Sequence, residues 1–262
     1  MTAFKVLKFQ LRDLVRSRWL LGYTLLLLAL TEALLRFGGS GPRAVISLLN
    51  VVLILVPLVS IVFGTMYLYG AREFIELLLA QPVGRPALFV GLYTGLALPL
   101  VVGFLMGVGL PFLWAGPGEG SGSGSIGLLL ATGTLLTLVF TALAFLVSVL
   151  VVDRARGLGL AIVIWLGVTV LYDAILVLVA TTMADYPLEL PLLGLTLLNP
   201  VDLGRVLLLL RLDAAALMGY TGAVFERFFG SALGTGVTIG ALALWVAGPM
   251  LLGMRRFVAK DF

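Results

Sequence analysis

Along this chain, long apolar runs alternate with short polar or charged breaks, and the runs are too long for strands. Predominantly apolar stretches occupy residues 19–35, 44–69, 87–114, 126–152, 157–180 and 231–254. A run of about 18 or more apolar residues crosses the roughly 30 Å hydrocarbon layer as one helix. The strands of a membrane barrel would show short segments of alternating polarity instead. The pattern predicts an all-α integral membrane protein of about six transmembrane helices. Pro57 marks a kink in the second span, and Pro99 and Pro111 interrupt the third.

The breaks have characters of their own. Phe4, Leu7, Leu11 and Leu14 share one helical face, while Lys5, Lys8, Arg12 and Arg16 share another. Residues 1–18 therefore predict an amphipathic helix in the headgroup layer, its cations toward anionic membrane lipid. A signal peptide is the rival reading, but the apolar run that follows is long and no small-residue cleavage site succeeds it. Residues 116–125 are almost entirely Gly and Ser with Pro117 and Glu119, the composition of a flexible loop. Asp153, Arg154 and Arg156 make a short turn. Residues 183–230 mix charges, Pro187, Pro191 and Pro200 with apolar pieces too short to span. Short helices resting on or dipping into the outer leaflet fit them, because irregular backbone at depth must be covered by protein. The whole of 1–262 reads as a single transmembrane domain.

Orientation follows from Lys and Arg in the flanks. With the N-terminus inside, the cytoplasmic side carries Lys5, Lys8, Arg12, Arg16, Arg18, Arg72, Arg85, Arg154, Arg156, Arg255, Arg256 and Lys260. The other side carries Arg36, Arg43, Arg205, Arg211 and Arg227. Both termini are expected in the cytoplasm, the protein lying in the cytoplasmic (inner) membrane. These flanks account for the formal charge of +4, and no nucleic-acid partner is expected.

Composition narrows the chemistry. Hydrophobic residues make up 61% of the 262 residues and charged ones 11%, whereas a soluble domain carries about a quarter charged residues. Cysteine and histidine are absent, so disulfides, Cys/His zinc sites and histidine acid–base catalysis are excluded. The methionines are scattered with no Met-x-x-Met cluster, so they read as packing and no metal site is expected. Gly103, Gly107 and Gly109, and Gly234, Gly236 and Gly240, sit at spacings that permit close helix approach. No Gly-x-x-x-x-Gly-Lys-Ser/Thr phosphate loop occurs. The chain is expected to be no enzyme and to bind no cofactor itself.

Two acids lie inside apparent spans. Asp173 is roughly 24 Å along a helix from Gly157, and Glu32 roughly 20 Å from Trp19, both in the outer half. Ionisable residues in a bilayer are functional candidates. Each also has a bland reading: Glu32 pairs with Arg36 one turn on, and Asp173 is hydrated near the outer interface.

The break between spans two and three carries a candidate docking element over residues 70–86. Arg72 and Glu76 are four apart and can pair along a helix. Glu73 and Glu76 share a face, Phe74, Leu77 and Leu78 offer an apolar one, and Pro82 and Gly84 end the segment before Arg85. It reads either as a short rigid helix for a soluble partner's groove or as a solvated turn. The stretch from Leu197 to Arg205 has a local reading: Asn199 or Asp202 caps a helix, Pro200 suits its first turn, and Arg205 lies close to Asp202.

The sequence Arg72-Glu73, Glu76-Leu77-Leu78, Gln81-Pro82-Val83 and Arg85 resembles the cytoplasmic segment that precedes span three in ABC-2 type permeases. The order of elements is similar too. Leu197-Leu198-Asn199-Pro200-Val201-Asp202-Leu203-Gly204-Arg205 is similar to the Leu-Leu-Asn-Pro-x-Asp-x-x-Arg stretch of NosY-type permeases, which serve copper-site maturation of nitrous oxide reductase. Trp165, Tyr172 and Asp173 sit where that subgroup has an aromatic residue before an aspartate. One departure is visible: many ABC-2 permeases carry Gly-Thr before the second glutamate, where Phe74-Ile75 stands here. The resemblance implies an ABC ATPase subunit that uses ATP and contacts this segment, and a second permease copy in a homodimer. It also implies export between the two copies near spans one, two and five, with a sulfur species as cargo and a periplasmic accessory protein as partner. A stand-alone secondary transporter or channel is the alternative, which would call for polar residues at the midplane and inverted repeats.

Overall fold

The computed structural model describes residues 18–37, 41–79, 84–115, 123–182, 189–211 and 232–259. The amphipathic helix expected over residues 1–18 lies outside these, apart from Arg18, as do residues 116–122, 183–188 and 212–231. The described chain is helical: α1 (Arg18–Phe37), α2 (Gly41–Gly70), α3 (Arg72–Leu79), α4 (Arg85–Phe104), α5 (Leu110–Ala115), α6 (Ser123–Leu150), α7 (Arg154–Leu166), α8 (Tyr172–Thr182), α9 (Glu189–Leu197), α10 (Pro200–Arg211) and α11 (Ala232–Ala259). A π-helical turn, Leu105–Gly109, joins α4 to α5, and another, Gly167–Leu171, joins α7 to α8.

Among the described residues, six helical stretches are long and apolar enough to cross a membrane: Arg18–Phe37, Val45–Gly70, Arg85–Trp114, Gly124–Leu150, Arg154–Val179 and Gly236–Ala259. Helices are the form available to such runs, because backbone polar groups in hydrocarbon must be satisfied within the segment. Some of their hydroxyls follow the same logic. Thr65, Thr137, Ser148 and Thr238 each donate to the carbonyl four residues back, at 2.7–2.9 Å. Pro57, Pro99 and Pro249 lie inside helices that continue past them.

At the centre stands α6, packed most extensively against α2 and α11, with α4 and α10 also on it. Phe89, Phe104, Phe140 and Phe145 are fully buried there. Phe145 meets Phe89 and Tyr93 edge-on at 5.6 and 5.5 Å, and Phe89 meets Phe257 of α11 at 5.4 Å. Lipid tails are as apolar as leucine, so shape and dispersion rather than water exclusion hold this core. The π turn in span three serves that packing: a Cβ on Gly107 would lie 2.7 Å from the Leu27 Cβ and 2.9 Å from the Thr24 carbonyl oxygen of α1. By contrast, among the described residues nothing lies within 4 Å of such a position on Gly236 or Gly240, so they make no close approach to those residues.

The spans define two ends. One carries α3, the C-terminal ends of α2, α6 and α11, and the start of α7. At the other lie the short helices α9 and α10.

Candidate functional site

At the first end, α3 is barely two turns long, and helical periodicity sorts its side chains. Ile75 and Leu78, three apart, fall on one face and are buried at 3% and 6% exposure. Glu73, Phe74, Glu76 and Leu77 face outward, Leu77 at 69% exposure. The outer surface is thus two carboxylates beside two apolar side chains. This corrects the sequence reading for Leu78, which belongs to the core face with Ile75 and not to the exposed apolar face.

Arginines bracket the element. The Arg72 guanidinium lies 4.9 Å over the Tyr69 ring, a cation–π arrangement. Its Nη2 also reaches the Val151 carbonyl oxygen at 3.5 Å, the edge of hydrogen-bonding range. Engaged there, Arg72 does not make the pairing with Glu76 that the four-residue spacing allows. The Tyr69 hydroxyl donates to the same Val151 oxygen at 2.8 Å. Arg85 Nη1 donates to the Val258 carbonyl oxygen at 2.7 Å. Val151 directly follows the end of α6, and Val258 lies in the last turn of α11. Carbonyls there lack helical partners and attract cations. The segment is therefore tied at its start to α6 and at its end to α11. Tyr69 was missed by sequence reasoning, although an aromatic residue where an apolar run ends is a usual interfacial signal.

The second end brings Asp173 of span five to Asn199, Asp202 and Arg205, which share one stretch of sequence. Asn199 caps α10, its Oδ1 accepting from the Val201 amide at 2.9 Å, with Pro200 at the first helical position. Its Nδ2 donates to the Val168 carbonyl oxygen at 2.8 Å and to Asp202 Oδ2 at 3.2 Å. Val168 lies in the π turn of span five, where the wider turn shifts the carbonyl ladder. Arg205 Nη1 stands 2.8 Å from Asp173 Oδ2 and 3.2 Å from Asp202 Oδ1. Asp202 is buried, whereas Asp173 and Arg205 are each about one-third exposed, at 35% and 30%. Burial raises the Asp202 carboxyl above the ordinary range, with Arg205 opposing it and the charge on Asp173 adding to it. The Tyr172 hydroxyl donates to the Leu195 carbonyl at 2.6 Å, so α9 is held to span five as well.

Glu32 is not part of this cluster. Its Oε1 pairs with Arg36 Nη2 at 2.6 Å, and its Oε2 accepts from Trp114 Nε1 at 3.1 Å. The carboxylate joins the C-terminal ends of spans one and three, a structural clamp.

The ABC-2 family transporter protein profile matches residues 4–262. A protein of Pseudomonas aeruginosa named probable ABC transporter permease protein NosY is 29% identical over 260 residues, covering 93% of this chain and 91% of its own. A protein of the same name from Stutzerimonas stutzeri is 28% identical over 279 residues, covering 98% and 95%. A family match running through all six spans and both ends described above shows that the chain belongs to the ABC-2 family of transporter proteins, as a multi-pass permease subunit of an ABC transporter.

Proposed function

We propose that this permease is driven by a separate ATPase chain seated on α3, that two copies pair around a shared path, and that it exports its cargo. The observation that carries the reading is α3 itself, which exposes Glu73, Phe74, Glu76 and Leu77 while its first residue, Arg72, reaches the Val151 carbonyl at the end of α6. Its surface fits an apolar groove with a basic rim. A push on α3 reaches α6, the span at the centre of the bundle, which is how a soluble motor moves a membrane bundle. The α3 end is then cytoplasmic, with both termini on that side of the inner membrane, as the flanking Lys and Arg favour. The α9–α10 end faces outward, toward a periplasmic accessory protein. The stretch from Leu197 to Arg205 supports a NosY-like role, with a sulfur species for copper-site maturation of nitrous oxide reductase as cargo.

The test is co-purification of the tagged chain with the ATPase encoded beside it, against a Glu73→Ala, Glu76→Ala double variant. Both side chains are exposed, so the variant keeps its fold. Capture by wild type and loss from the variant is the expected result. An ATPase retained equally by both removes α3 as the seat, and one retained by neither removes the ATPase-driven reading.

A further inference from the structure

Beside the root of α3 lies an open cavity of about 710 Å³, lined by Tyr69, Arg72, Leu150, Val151, Val152, Asp153, Arg154 and Arg156. Three guanidinium groups face one carboxylate. That carboxylate is already engaged, because Asp153 Oδ1 caps α7 by accepting from the Arg156 amide at 2.7 Å. Arg72 is held over Tyr69. Arg154 and Arg156 are exposed, and among the described residues neither guanidinium has an ion-pair or hydrogen-bond partner. The cavity thus presents unneutralised positive charge.

Its position says what kind of anion fits. Spans two and four end at the cavity, at Gly70 and Leu150, and span five begins there at Arg154. This is the level of lipid headgroups. The rim is apolar as well as basic, since Leu150 and Val152 are more than half exposed. A soluble phosphate would use the arginines and leave this apolar surface unused. A phospholipid uses both.

We propose that this cavity binds the phosphate headgroup of an anionic phospholipid, with the start of its acyl chains against the exposed Leu150 and Val152. Basic pockets at helix ends bind such headgroups, each arginine contributing about fivefold in affinity. Because Arg72 both lines the cavity and opens α3, an occupied cavity would fix the root of the docking element. The inference needs only the membrane fold, so it stands or falls independently of the ATPase reading.

The test titrates the full chain, purified and delipidated in detergent, with phosphatidylglycerol in mixed micelles, read by native mass spectrometry. Phosphatidylcholine and inorganic phosphate are the other arms. Saturable phosphatidylglycerol binding is expected, with weaker phosphatidylcholine binding and little competition from inorganic phosphate. An Arg154→Gln, Arg156→Gln double variant should weaken phosphatidylglycerol roughly 25-fold. The Arg154→Lys, Arg156→Lys variant should keep most of the binding, which separates lost charge from lost fold. Equal binding by the Gln variant and wild type overturns the site. Full displacement by inorganic phosphate overturns the lipid and leaves a soluble-anion site.

Discussion

Asp173 and Arg205 meet at 2.8 Å, so span five and the short helix α10 are joined by an ion pair at the end opposite α3. Arg205 is shared with the buried Asp202 at 3.2 Å, and this sharing makes the two contacts unequal. Asp173 is partly hydrated, whereas Asp202 depends on the arginine.

Removing the partners should therefore have different consequences. Asp173→Asn loses one partly exposed contact and should cost about 1 kcal/mol or less. Arg205→Met leaves the buried Asp202 without its opposing cation and, above its raised pKa where the carboxyl is ionised, should cost about 3 kcal/mol. Thermal unfolding of the purified variants in one detergent measures both. Equal losses would show that Asp202 does not rely on Arg205.

The same cluster makes stability depend on pH. The groups facing Asp202 are Arg205, Asp173, Asn199 and Tyr172. Its folded pKa is raised from an ordinary value of about 3.9. The folded chain thus holds a proton that the unfolded chain releases. That stabilisation is fully present below about pH 4 and is lost as pH rises through the raised value. Wild type should lose melting temperature over this window, and Asp202→Asn should flatten the loss. A pH profile unchanged by Asp202→Asn would assign the dependence to other groups.

Gly157 tests the close contact beneath Arg72. A Cβ there would collide with the Tyr69 ring and hydroxyl, whereas one on Gly159 meets nothing within 4 Å. Gly157→Ala should displace Tyr69 from the Val151 carbonyl and destabilise by about 1–3 kcal/mol. Gly159→Ala should be near neutral or slightly stabilising. Thermal unfolding of the two single variants makes the comparison.

Neighbouring leucines on α3 should separate docking from folding. Leu77→Ser changes an exposed surface and should weaken ATPase capture with little effect on stability. Leu78→Ser places a hydroxyl in the core and should cost about 2–4 kcal/mol. Co-purification and thermal unfolding, read together, distinguish the two.

Much of the fold was legible because hydrocarbon allows so few solutions. The run at 19–35 became α1 (Arg18–Phe37), and the run at 44–69 became α2 (Gly41–Gly70), each within a few residues. The local chemistry at Asn199 and Pro200 pointed to the start of α10. The π turns were not legible, because Leu105–Gly109 and Gly167–Leu171 look like any other apolar stretch and arise from packing between spans. Nor was the partner of Asp173, since no local rule joins it to Arg205. Leu78 was assigned to the wrong face because in so short a helix one residue of phase separates Leu77 in solvent from Leu78 in the core.

The π turn in span five also sets the angular phase of everything beyond it. A π turn holds about one residue more than an α turn, so deleting one residue from Gly167–Leu171 would let the helix close into regular α geometry. Asp173 would then swing by roughly 100° around the helix axis. It would leave Arg205, and Tyr172 would leave the Leu195 carbonyl in the same step. That surplus residue works as an indexing device, fixing which face of span five is presented to α9 and α10.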